Sequence, residues 1–161
     1  MTLTPRLFLG SSSEGRARAE VFARVLSDAA TVVPWWEAPE FTEQHTTIQA
    51  LLVAINTYDF AVALFTPDDA ITSRGQPGTS VRDNVVFEFG LFLGQLGPAR
   101  TFAFTEIRGT ITPKTPTDLL GVTIPRFNTG LGVISSSLSR AQSIRSSRSL
   151  QRGVCASCGG R

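Results

Sequence analysis

Several residue types that carry chemistry are nearly missing from this 161-residue chain. There is one histidine, His45, and the only two cysteines, Cys155 and Cys158, fall among the last seven residues. A lone histidine in a polar loop, without a second histidine or a nearby cysteine, makes neither a metal site nor a triad base, so His45 reads as solvated. One C-x-x-C cannot by itself make a zinc site, a redox motif should lie on a folded helix, and no disulfide framework can rest on the pair. No metal is expected. Apolar runs near the ~20 residues of a membrane span are absent, and the N-terminal stretch is too short for a signal h-region, so the chain is expected to be cytoplasmic. Charged residues make up only 17% against 42% hydrophobic. Charge-driven disorder is therefore excluded for most of the chain.

The net charge of +2 averages two unlike parts. Residues 133–161 hold nine serines and five arginines, no acid and few large apolar groups. Such a composition cannot bury enough surface to offset chain entropy. Residues 1–132 carry a net −3, with no basic stripe that would suit nucleic acid. A boundary is expected near residue 132, with one folded domain before it and a Ser/Arg-rich disordered tail after it.

Within the body the apolar period alternates between strand-like and helical. Arg6–Gly10, Thr31–Trp36, Asp59–Thr66, Arg100–Thr105 and Val122–Phe127 read as strands, with Pro34 marking an edge. Ala17–Ala29 reads as a helix presenting Ala17, Val21, Val25 and Leu26. Ile48–Tyr58 reads as a second, with Ile48, Leu51, Leu52 and Ile55 on one face. Asn84–Leu96 is a third, capped by Asp83 or Asn84, and Thr115–Leu120 a short fourth. Gly75, Pro77 and Gly78 make Ala70–Val81 a long loop. Short apolar strands alternating with helices imply a parallel sheet covered on both faces. The expected fold is α/β, a five-stranded sheet of flavodoxin-like winding, with ligands bound beyond the carboxyl ends of the strands.

Glu88 is the most informative residue. Between Val85 and Leu96 only Glu88 and Gln95 are polar, and Asn84, Val85, Leu91 and Phe92, its neighbours along the helix surface, cannot pair with it. An isolated carboxylate on an apolar helix either faces solvent at a gap in the packing or faces a cleft and acts there. Gly90, Gly94 and Gly97 on the same helix read as close-packing positions. The segment Ser11-Ser12-Ser13-Glu14-Gly15 follows the first strand and opens a helix, where hydroxyls and backbone amides suit a phosphate or simply cap. Arg82 could hold a phosphate or carboxylate at the mouth of the Glu88 helix. Asp83 and Asn84 beside it could bind or cap. Asp68 and Asp69 end a strand, where turn formation serves as well. Trp35 and Trp36 end another, where one could stack on a planar ring and the other could pack in the core.

The strings FLGSSSEG, TPDD with Arg74-Gly75 a few residues on, and RDNVVFEFGLFLGQLG together resemble one family. It is the TIR-like domain of the cyclic-nucleotide-activated antiphage effectors of the Pycsar and CBASS systems. DFAVALFTPDD and TPTDLLG match too, so the resemblance runs from about Arg6 to Phe127. It implies a flavodoxin-like fold, cleavage of NAD+ as substrate rather than cofactor, and self-association of TIR domains. It places the catalytic glutamate at Glu88 and the nucleotide pocket at Ser11, Ser12, Ser13 and Glu14, with Trp36, Asp68, Arg82, Asp83 and Asn84 as further substrate-binding candidates. The family's cyclic-nucleotide sensor is expected to be absent from this chain. Two other functions suit the same residues: a nucleoside 2-deoxyribosyltransferase-like enzyme, which also sets a glutamate at an N-glycosidic bond, and a non-catalytic TIR module that signals by assembly.

Overall fold

The computed structural model describes residues 4–41, 47–73, 75–115, 119 and 124–128. His45, both cysteines, the Ser/Arg tail and most of the short helix expected over Thr115–Leu120 lie outside these residues. Five parallel strands form the central sheet: β1 (Arg6–Gly10), β2 (Thr31–Pro34), β3 (Phe60–Phe65), β6 (Thr101–Ile107) and β7 (Arg126–Asn128), in the order β2-β1-β3-β6-β7. This is the flavodoxin-like order inferred from the alternation of strands and helices.

The two faces of the sheet bury different side chains because successive residues of a strand point oppositely. Leu7 and Leu9 of β1, Phe60, Val62 and Leu64 of β3, and Phe104 of β6 pack with Ala19, Phe22 and Leu26 of α1 (Arg16–Leu26). Phe8 and Ala61 face the other way, onto Ala54 and Ile55 of α2 (Thr47–Thr57) and Phe92 and Leu96 of α3 (Asp83–Leu96). Ala63, Phe65 and Ala103 extend that layer against Val85 and Phe89. Phe8, Phe65, Phe89 and Phe92 are fully buried, each contributing roughly 1.5–3 kcal/mol.

Several local expectations are corrected. α1 buries Ala19, Phe22 and Leu26, not the face through Ala17, Val21 and Val25, and Val21 is exposed. The large Phe22 ring sets the rotation by stacking edge-on against Phe104 and Phe127. α2 buries Leu51 and Ile55 as expected, but Ile48 and Leu52 are exposed, because small Ala50 and Ala54 let the helix approach the sheet closely. Strand β2 stops at Pro34 on the sheet edge, and Trp35–Glu37 form one 3-10 turn. Asp83 and Asn84 do not cap α3: the residue in N-cap geometry is Arg82, whose side chain makes no cap bond. Gly90 and Gly94 pack against nothing, since a Cβ on either would meet open space. Gly97 ends the helix at a positive φ of 75°, which favours glycine. β7 is seen over Arg126–Asn128, at the end of the strand expected over Val122–Phe127.

The segment expected to be a long loop is an antiparallel hairpin, β4 (Asp69–Ser73) with β5 (Gln76–Ser80), turning at Gly75 with φ 78°. None of its strand residues is buried, and Pro77 and Gly78 interrupt any apolar alternation that could have announced it. Lys114 holds it from one side, donating its backbone N–H to Thr79 O at 2.8 Å and reaching Ser73 Oγ at 3.4 Å. The hairpin leaves the end of β3 and feeds α3, at the carboxyl edge of the sheet.

Candidate active site at the carboxyl edge of the sheet

Three segments meet at this edge: the loop from β1 into α1, the turn after β3, and the entry to α3. Ser12 is their hub. Its buried hydroxyl accepts the Gly15 N–H at 2.9 Å and lies 3.1 Å from the Thr66 hydroxyl, and both hydroxyls donate to Asp68 Oδ2. Gly15 sits so close that a Cβ there would be 3.0 Å from Ser12 Oγ and 3.3 Å from Thr66 Oγ1. Any larger residue there would press on both hydroxyls. Ser11 is buried and donates to the Ser12 carbonyl, whereas Ser13 and Glu14 face solvent.

Arg82 spans the mouth. Its Nη2 reaches Glu14 Oε1 at 2.9 Å and Asp69 Oδ1 at 3.2 Å. Its buried Nε has no hydrogen-bond partner among the described residues. Asp83 and Asn84 are exposed on the first turn of α3. Trp36 stands on the α1 side of this edge, next to Arg16, the residue after Gly15. It packs with the α1 layer, has the Arg16 guanidinium 4.7 Å over its ring, and lines a groove of about 310 Å³ with Glu20, Arg24 and Glu37. Trp35 faces the α2–α3 layer, the side on which Glu88 lies.

Glu88 follows Arg82 by six residues and points inward beneath the end of β1. Its Oε2 lies 3.5 Å from where a Cβ on Gly10 would be. It lines a cavity of about 10 Å³ with Phe8, Gly10, Ala61, Val62, Ala63, Phe89 and Phe92, room for about one water molecule. Glu88 is the only titratable residue in that lining, and it makes no hydrogen bond or ion pair among the described residues. Burial without a compensating donor pushes its carboxyl pKa up to about 7. A carboxylic acid that titrates near neutrality in a cleft at a strand edge is a candidate for chemistry.

Sequence reasoning missed a second buried carboxylate, Glu106, at the end of β6 and 0% exposed. Arg18 Nε of α1 reaches its Oε1 at 3.0 Å. Arg108 reaches its Oε2 with Nη2 at 2.8 Å and Nε at 3.0 Å. Arg108 Nη2 also lies 3.3 Å from Asp68 Oδ1. Bonding to Glu106 raises the Arg108 pKa further. The available signal was Glu and Arg two residues apart at a strand end, which places both on one face. Among the described residues no cluster of three metal-binding side chains occurs, and no helix is long and apolar enough to cross a membrane.

Comparison with known proteins meets this geometry. The family model for the CAP12/Pycsar effector protein TIR domain matches residues 6–129. The chain is similar to CD-NTase-associated protein 12 of Flavobacterium daejeonense, at 38% identity over 131 residues, 81% of this chain and 40% of that protein. The same-named protein of Sphingobacterium faecium is 35% identical over 140 residues, 87% of this chain and 42% of its own length. The Pycsar effector protein PaPycTIR of Pseudomonas aeruginosa is 36% identical over 117 residues, 73% of this chain and 37% of its own length. The chain thus spans about 40% of the length of these relatives. With the family model covering both the sheet and every element of the strand-edge site, the chain belongs to the TIR-domain family of CAP12 and Pycsar effector proteins.

Proposed function

We propose that this chain is an NAD+ glycohydrolase, releasing nicotinamide from NAD+, and that it acts as the TIR part of a cyclic-nucleotide-signalled antiphage effector. The observation that carries the reading is Glu88, a carboxyl without a hydrogen-bond partner among the described residues, in an apolar pocket at the carboxyl edge of a flavodoxin-like sheet. The relatives' names, a CD-NTase-associated protein and Pycsar effectors, supply the biological setting.

The chemistry suits a single carboxylate. The nicotinamide of NAD+ is cationic and leaves as a neutral base, so no general acid is needed. The transition state gathers positive charge at the ribose, as in glycoside cleavage. An ionised Glu88 in a dry cleft stabilises that charge and accepts hydrogen bonds from the ribose hydroxyls. With a pKa of about 7, the free site at neutral pH is near the midpoint of its titration. A cationic substrate beside Glu88 favours its ionised form.

A cavity of about 10 Å³ is far below the roughly 300 Å³ or more of an ordinary ligand pocket. Productive binding therefore requires the Glu88 side chain to swing toward the edge, or the surrounding loops to part. Self-association of TIR domains, with neighbouring copies holding the open form, would supply that step.

The test is chromatographic: incubate the purified chain with NAD+ at high protein concentration and follow free nicotinamide. Nicotinamide release that disappears with Glu88→Gln supports the reading. Base exchange on a deoxynucleoside, without nicotinamide release, would identify a deoxyribosyltransferase instead. Wild-type turnover by the Gln variant would remove Glu88 from the catalytic role.

A further inference from the structure

We propose that Arg108 is a positioning residue: acting through Asp68, it holds the Ser11–Gly15 loop in the shape that receives the nucleotide. The inference rests on the reading of this edge as a nucleotide site, and it gives a role to groups which that reading leaves unused.

The connection is continuous in space though remote in sequence. Arg18 in α1 binds Glu106 in β6, Glu106 binds Arg108, Arg108 binds Asp68 after β3, and Asp68 takes the hydroxyls of Ser12 and Thr66. Ser12 in turn accepts the Gly15 N–H. Arg18 Nη1 closes the path by donating to the Glu14 carbonyl at 3.2 Å. Three segments of chain, 12–18, 66–68 and 106–108, are thereby pinned at one edge.

Asp68 is the sensitive joint. Its side chain is 1% exposed, and a carboxylate that deep is costly unless its oxygens are bonded. The Ser12 and Thr66 hydroxyls serve Oδ2, while Arg108 is the charged donor at Oδ1. Without that guanidinium, Asp68 gains more by turning to water than by staying. Ser12 and Thr66 then lose a shared acceptor, and the turn closed by Gly15 loosens.

Charge argues for positioning over anion binding. At this edge Arg18, Arg82 and Arg108 face Glu14, Asp68, Asp69 and Glu106, so the described groups sum to an excess of one negative charge. A phosphate would find Arg18 and Arg108 already committed to carboxylates, whereas Arg82 keeps its Nε unpaired among the described residues. Arginine is suited to the bridge, since its planar fork can serve two carboxylates at once, whereas a lysine ammonium cannot reproduce that geometry.

The experiment uses the full chain with three variants: Arg108→Ala, Arg108→Lys and the double Glu106→Gln/Arg108→Ala. Amide hydrogen exchange by mass spectrometry reads the 11–15 segment directly, and NAD+ kinetics read KM and kcat. Arg108→Ala is expected to speed exchange in that segment about tenfold and raise KM about tenfold, with kcat changed less than twofold. Arg108→Ala leaves Glu106 still holding Arg18; the double variant lowers the excess negative charge beside Asp68, and fast exchange and high KM should persist in it. Arg108→Lys should keep the midpoint but not the loop protection. Unchanged exchange in Arg108→Ala, or a double variant in which exchange and KM return to wild type, would overturn the proposal. If the wild type releases no nicotinamide, the activity reading fails by itself, and the exchange data still decide whether Arg108 holds the loop.

Discussion

Replacing Glu88 with Gln should stabilise the protein, and the gain should depend on pH in a direction fixed by burial. The carboxyl ordinarily titrates at 4.5 and is raised to about 7 in the fold, with desolvation as the cause. Below pH 4.5 it is neutral in both folded and unfolded chains and costs nothing. Between 4.5 and 7 the unfolded chain ionises while the folded one holds its proton, so folding stability falls as pH rises. Above 7 both states are ionised and the cost levels at about 3 kcal/mol. Gln fills the same space without a charge, and Glu88 has no hydrogen bond among the described residues for it to break. The Gln variant should match the wild type near pH 4 and exceed it by about 3 kcal/mol at pH 8, which at this chain length is on the order of 10 °C in thermal midpoint. Urea unfolding of both proteins at pH 4, 6 and 8, with a common m-value, measures the difference. A stability difference that stays constant across that range would refute the argument, because it would mean that Glu88 is already ionised at low pH or is well solvated.

Three further outcomes follow from the same geometry. If the ionised carboxylate is the active form, nicotinamide release should climb nearly tenfold per pH unit below about 7 and level off above it; a rate that falls through this range would assign Glu88 the role of an acid. Gly15→Ala should cost about 1–3 kcal/mol in denaturant unfolding, because its methyl would press on Ser12 Oγ at 3.0 Å, whereas Gly90→Ala, facing open space, should be neutral or stabilising. Specific activity should rise with protein concentration, since a water-sized cavity around Glu88 must open to admit a ribose; activity per chain that is constant over a thousandfold dilution would point to a self-sufficient monomer.

The parts of the fold that were legible in the sequence are those where one signal dominates. The run Phe60–Phe65 is buried at every position and reads as a central strand with no competing period. The Glu88 helix announces itself by its apolar length, and its one inward carboxylate by contrast with its neighbours. Rotation of α1 was less legible. The series Ala17, Val21, Val25 and the series Ala19, Phe22, Leu26 both fit a helical period, and only packing of the Phe22 ring against Phe104 and Phe127 chooses between them. The β4–β5 hairpin was hidden because its strands are exposed and contain Pro77 and Gly78, so backbone pairing rather than side-chain burial defines it. At the site, Ser12 and Glu88 stood out by local pattern. Glu106 and Arg108 did not, because their meaning lies in Arg18 and Asp68, far away along the chain.

That separation has a consequence for how the protein is made. Arg18 and Glu106 are 88 residues apart, and a ribosome adding roughly 5–20 residues per second needs on the order of 4–18 s to deliver the second after the first. During that interval Arg18 has emerged and Glu106 has not, β1 and β3 can pair, and the Ser12 loop can form, but the ionic path that fixes its shape is open. The strand edge is therefore completed only when β6 and the residues just after it have emerged. Nascent chains halted before Arg108 would carry Glu88 on its helix without the finished loop above it, a built-in delay between placing the carboxylate and completing the edge around it.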